Sequence, residues 1–441
     1  MGDLARCWAA TCLSLIAVCA LGCGSVNRRA ADDDSGTGDD DGGDGSDGAD
    51  SGPGTDASGQ TDARPLPTEP PVENGQSAML VLGQPDFVTV GSGTAANRFR
   101  WAGGIATGAG RIWIQDVDNS RVLQWDQAPV ANQEPADLVI GQLDFDSAVA
   151  GPTNINLTPI GMPETDGIGD VALAGDRLVV ADGHANRVLV WNQLPEANGA
   201  PADMVLGQTT FTGSAAGTNA DRFTAPSGVW SDGNVLIVVD QGNHRALIWT
   251  SFPSENGQDA DLVLGQASFT SNAAPDPPTA RSMNTPTDVV FDGERLYIVD
   301  SSNNRIMGWN GIPTESNASA DFFVGQSDGV SNIANAGAGP QNESAAGLHI
   351  PGTIAAAHGS LFVTDRVNFR TVVYTPRPTA SGDDADAVLG FLDLDGTPHD
   401  AEGQSFTPRG LGIDGDRLYL SDSNVAFGQA RVLVYQLSNL P

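Results

Sequence analysis

The stretch that decides the fold runs from Pro226 to Gln266, PSGVWSDGNVLIVVDQGNHRALIWTSFPSENGQDADLVLGQ. It contains four short β-rich runs, Gly228–Ser231, Val235–Asp240, Arg245–Thr250 and Asp261–Gly265, divided by turn residues. The second and third runs are apolar almost throughout (VLIVV, ALIW), as expected of strands covered on both faces. No apolar period of ~3.6 residues accompanies them, which excludes a helical solenoid.

The pattern returns about every 60 residues. An interval of 14 residues links Pro226 to Asp240, Pro286 to Asp300, Pro351 to Asp365 and Pro408 to Asp422, and also Ala102 to Asp116 and Ile168 to Asp182. Nine residues after the Asp stands Trp125, Trp191, Trp249, Trp309 or Tyr374, while in the last copy Tyr435 arrives four residues late. Twenty-five residues after it come Gly141, Gly207, Gly265, Gly325 and Gly390. Six copies of a four-stranded, doubly covered unit predict an all-β fold, a six-bladed β-propeller over residues 76–441. The last copy lacks a fourth strand, and Ala78-Met79-Leu80-Val81-Leu82-Gly83-Gln84 near the front matches the missing one. The ring is therefore expected to close by an N-terminal strand beside three C-terminal ones (3+1), which removes two open sheet edges.

The chain has 55 acidic residues against 21 basic ones, all of the latter Arg, for a net charge of −34. Such a surface repels phosphate backbones, so nucleic acid is excluded as a partner. The cysteines are Cys7, Cys12, Cys19 and Cys23, so the propeller has no disulfide framework, Cys metal site or Cys nucleophile. Residues 1–23 read as a signal peptide, and Ala20-Leu21-Gly22-Cys23 resembles the bacterial lipobox with Cys23 as the lipidated residue. That resemblance implies export and a lipid anchor on the bacterial cell envelope, at the outer membrane or cell surface, with the anchor as the only membrane contact. Residues 24–75 are rich in Asp, Gly and Ser and read as a disordered acidic linker. Asp41, Asp44, Asp47 and Asp50 within it lack the spacing of a calcium loop.

The blocks Asp240-Gln-Gly-Asn243-His-Arg245 and Asp300-Ser-Ser-Asn303-Asn-Arg305 resemble the Asp-x-x-Asn-x-Arg core of NHL repeats. Asp116, Asn119 and Arg121 keep the same spacing, as do Asp365, Asn368 and Arg370. The second copy has Asp182 with Asn186 next to Arg187, and in the sixth an insertion displaces Arg431. The resemblance covers about 78–441 and implies an NHL-type propeller lipoprotein, a class that includes scaffolds, sensor domains and a few enzymes.

With the four runs of each copy labelled a to d in chain order, alternating strand direction puts the d-to-a connections and the b-to-c turns on one face. The connections vary from 18 to 27 residues, the longest being 141–168 and 325–351, so this is the expected ligand-binding face. The recurring Asp, Asn and Arg of the b-to-c turns are expected to be structural, closing turns in nearly every blade. Asymmetric positions are better candidates for a site. Asp170 and Asp288 stand where other blades have Gly104, Gly228 and Gly410, with Thr353 in blade five. Facing the channel, they would hold a divalent cation, calcium, in the manner of gluconolactonase-like propellers. Phe427, in the insertion 423–430, is a candidate partner contact. His184, His244 and His349 invite comparison with an NHL-fold amidating lyase that carries zinc on three histidines. The expectation is a monomeric, non-catalytic module that binds a protein, peptide or glycan. The alternative is a metal-dependent hydrolase or lyase of the gluconolactonase-like or amidating-lyase-like type.

Overall fold

A computed structural model describes residues 66–158, 169–340, 342–391, 393–394, 407–424, 428–438 and 440. The chain divides into two units, Met1–Ala63 and Arg64–Pro441, and all the described residues belong to the second. Lipidation at Cys23, the linker before residue 66 and Phe427 lie outside them.

The second unit is a six-bladed β-propeller of six four-stranded antiparallel sheets. Blade three shows the pattern: strand a Pro226–Ser231, b Leu236–Asp240, c Arg245–Trp249 and d Leu262–Leu264. Strands b and c are buried along their whole length, as their continuous apolar runs require. The core lies between neighbouring blades. Val179, Val188 and Met204 of blade two pack with Leu236, Leu247 and Trp249 of blade three in one buried cluster. Each such side chain withdrawn from water contributes roughly 1.5–3 kcal/mol.

The ring closes as the sequence predicts. Leu80–Leu82 pair antiparallel with Gln429–Gln436 of blade six, Leu80 opposite Val434 and Leu82 opposite Val432. The packed chain begins earlier than residue 76. Val72 is 2% exposed, the Asn74 side chain accepts from the Val388 N–H at 2.8 Å, and Ser438 N–H donates to Pro71 O at 2.8 Å. Residues 70–75 (PPVENG) repeat the c-to-d loop of blade three, FPSENG at 252–257. There Asn256 makes the same bond to Val205 N–H, at 3.0 Å. Blade six thus receives both its c-to-d loop and its outer strand from the front of the chain.

Candidate functional site

In blade three, Asp240 ends strand b and Arg245 begins strand c directly opposite, with a 3-10 turn, Gln241–Asn243, between them. Arg245 Nε meets Asp240 Oδ2 at 2.7 Å, and Asn243 donates to the same oxygen at 2.8 Å. The guanidinium also donates to Thr218 O, Asn219 O and Arg222 O of the connection before the blade, and to Phe269 O of the one after it. Arg245 therefore fastens two d-to-a connections to a turn, as do Arg121, Arg187, Arg305 and Arg370, so turns and connections share a face. The ion pair itself recurs as Asp116–Arg121, Asp182–Arg187, Asp300–Arg305, Asp365–Arg370 and Asp422–Arg431, with no side chain of the six pairs more than 3% exposed. Burial pushes the Asp240 carboxyl up to about 6, opposed by the charge of Arg245 and the bonds from Asn243 and Thr224. Asn119, Asn303 and Asn368 donate to their own blade's Asp at 2.7–2.9 Å.

Blades two and six depart from this motif. Asn186 is not the motif Asn of blade two, where Ala185 holds that place. Asn186 is the next residue, left-handed at φ 50, a conformation shared by Ser120, His244, Asn304 and Phe369. Its side chain reaches the following connection, accepting from Ala225 N–H at 2.8 Å and donating to Ser214 O at 2.9 Å. Arg431 is displaced in sequence, as expected, yet keeps its partner. The insertion lengthens the hairpin so that Asp422 still faces Arg431, and Gln429 donates to Asp422 at 2.8 Å in place of the Asn.

At the axis, strand a bulges below its first residue in blades one and three to six. The bulge positions converge on one small cavity, lined by Gly104, Gly169, Asp170, Thr287, Asp288, Gly352 and Thr353, with a volume of about 10 Å³. That is room for a single water or ion. Asp170, Asp288 and Thr353 are brought together here, as their asymmetry suggested. Small residues make space for the carboxylates: a Cβ on Gly228 would stand 2.8 Å from Asp288 Oδ1, and one on Gly104 would overlap Asp170.

Both carboxylates also bridge blades. Asp170 Oδ2 accepts from Val229 N–H of blade three at 3.1 Å, and Asp288 Oδ2 accepts from Ile354 N–H of blade five at 2.9 Å. Thr353 Oγ1 donates to Arg409 O of blade six at 2.7 Å, and Ser421 Oγ donates to Gly103 O of blade one at 3.0 Å. Withdrawal from water pushes Asp170 up to about 7. Asp288, 7% exposed, is raised well above its ordinary value by burial first and by the charge of Asp170 second.

Sequence reasoning missed two arginines here. Arg366 and Arg409 are each 8% exposed, Arg409 stacking 5.3 Å from the Trp101 ring and Arg366 lying over Gly352. Arg409 follows the strand-opening Pro408, at a place where other blades have Gly103, Ser227, Thr287 or Gly352. That exchange of small for large was the available signal. The histidines do not converge on a metal. His244 Nδ1 accepts from Thr285 N–H at 2.9 Å, as Asn186 and Asn304 accept in their blades, and His184 is exposed. Among the described residues no three His, Cys, Asp or Glu side chains are placed to share an ion.

No protein-family profile and no curated protein sequence matches the chain. Among solved structures it is similar to a periplasmic gluconolactonase of Pseudomonas aeruginosa, at 15% identity over 76% of this chain and 86% of that one, with a TM-score of 0.42. It is also similar to the PQQ-bound aldose sugar dehydrogenase of Streptomyces coelicolor, at 15% identity over 79% and 98% of the two chains, with a TM-score of 0.41. A streptogramin B lyase is 10% identical over 77% and 94%, with a TM-score of 0.40. Likeness at this level carries no argument about activity.

Proposed function

We propose that the propeller is a non-catalytic binding module of the NHL type, held at a bacterial envelope through lipidated Cys23, and that it takes a protein, peptide or glycan on the face of the d-to-a connections. The observation that carries this is where large apolar side chains meet water. Eight of the eleven exposed ones among the described residues, Val88, Val90, Leu143, Val149, Val330, Ile333, Val367 and Phe369, belong to d-to-a connections or b-to-c turns. Apolar groups gathered on one face of a strongly acidic protein support a macromolecular contact, and favour protein or peptide over glycan. Phe369 adds to this, because a half-exposed aromatic in the left-handed region, φ 53, is costly unless something holds it there.

A photo-crosslinker at position 369 is expected to yield discrete envelope adducts, and one at position 130, on the opposite face, none. Equal yields from the two positions would remove the proposal.

The second reading, a metal-dependent hydrolase, is favoured by the meeting of Asp170 and Asp288 with the Thr287 and Thr353 hydroxyls. These oxygens suit one calcium ion, which would supply Lewis-acid polarisation of a bound carbonyl. A cavity of about 10 Å³ leaves no place for that carbonyl, which puts this reading second. A stoichiometric divalent ion lost on Asp288→Ala, together with turnover of a lactone or ester, would reverse the order.

A further inference from the structure

A second, wider cavity lies on the other face. It is a groove of about 340 Å³ between the a-to-b turns of blades two and three, formed by Asp176, Arg177, Asn192, Gln193, Asp232 and Asn234 with the glycines of the two turns. We propose that it binds an uncharged saccharide unit.

The groove exists because this junction departs from the others. In blade one the Arg of the a-to-b turn, Arg111, pairs with Asp126 at 3.3 Å. In blade two the residue matching Asp126 is the neutral Asn192, and Arg177 turns instead to Gly233 O at 3.2 Å and lies 4.5 Å over the Phe252 ring. At the junction of blades four and five, Arg377 fills the wedge, meeting Asp292 at 2.7 Å and Glu294 at 2.6 Å. At the next junction His358 Nε2 lies 2.7 Å from Gly415 O, and Pro67 covers Gly359. Between blades two and three the turn side chains project into open space without such a filling among the described residues.

The groups in the groove select the ligand. The side chains of Asp176, Asn192, Gln193 and Asn234 are exposed and make no hydrogen bond within the described protein. Asp232 uses one oxygen on Asn234 N–H and Val235 N–H, at 2.8 and 2.7 Å, and leaves the other. Together they offer acceptors from two carboxylates, donor-acceptor pairs from three amides, and donors from Arg177. A ligand that satisfies them must donate and accept at closely spaced points, as adjacent sugar hydroxyls do. The carboxylates and the acidic surface oppose phosphorylated or acidic sugars, and Arg177 opposes a bare cation. The volume lies at the small end of ligand sites, which run from ~300 Å³ upward, so one or two sugar rings fit.

This face is opposite the long connections, so the proposal stands or falls apart from the one above. The test applies labelled full-length protein to an array of neutral and acidic oligosaccharides, then measures the best neutral ligand by calorimetry. Asp176→Ala and Asn234→Ala are each expected to weaken binding about tenfold or more, the loss of one or two hydrogen bonds. Both side chains are exposed, so the thermal midpoint should not move, which separates lost recognition from lost folding. Retention of no neutral glycan, retention of acidic glycans only, or unchanged binding by both variants would overturn the proposal.

Discussion

Asp170 sits at the axis beside another carboxylate, Asp288, and among the described residues no cationic side chain is shown hydrogen-bonded to it. The carboxyl is therefore stabilised in its neutral form, and its value of about 7 lies far above the 3.8 of a free Asp. A group that binds its proton more tightly folded than unfolded stabilises the fold at low pH, and that stability is lost as pH rises through the folded value. The propeller should accordingly weaken between about pH 5 and 8, by an amount under ~4 kcal/mol. Asp170→Asn keeps an oxygen for Val229 N–H and cannot ionise, so its stability advantage over the native chain should grow with pH in urea titrations. A constant difference at pH 5 and pH 8 would show that the carboxyl is ionised throughout. The six Asp–Arg pairs differ in carrying a countercharge, an Arg at 2.7–2.9 Å, which at Asp240 opposes the upward push of burial without cancelling it.

At the scale of elements, the seam between the two chain ends is the vulnerable place. Gln429–Gln436 would be an open edge without Leu80–Leu82, and an open apolar edge is a template for aggregation. The loop before that strand matters as well, since Asn74 satisfies Val388 N–H across the blade five boundary. Asn74→Ala should destabilise the domain by about 1 kcal/mol, the usual result of leaving such a donor unmet. Truncation to residue 85 should leave an insoluble or aggregated product, and a soluble monomer with the native melting temperature would refute this account of closure. The loop was legible in PPVENG, which repeats FPSENG, but the match is short and sits beside a Pro-rich segment that reads as linker.

The whole molecule is shaped by its charge. Residues 64–441 carry 43 acidic side chains and 18 Arg; six of each are locked in buried pairs, leaving 37 against 12. A surface with that excess repels itself, and the repulsion is screened by salt over a Debye length of ~10 Å at 0.1 M. The melting temperature at pH 8 should therefore rise by a few degrees between ~10 mM and ~200 mM NaCl. A fall over that range would mean that surface ion pairs outweigh the repulsion.

The sequence by itself determined the number of blades, their strand order, the closing strand and the face on which turns and connections meet. These follow from local periodicity and from alternation of strand direction, which repeat often enough for spacing alone to expose them. It also picked out Asp170, Asp288 and Thr353, because each breaks a repeat of small residues. What only the tertiary structure decided is how far the axis is filled: whether those carboxylates look into a channel or into a space for one water depends on how the innermost strands of separate blades converge, five of them bulged. The open groove beside Arg177 is equally a matter of tertiary structure, since it arises from what neighbouring blades fail to place there. Repetition fixes what every blade shares, and function is sought where packing makes the blades differ.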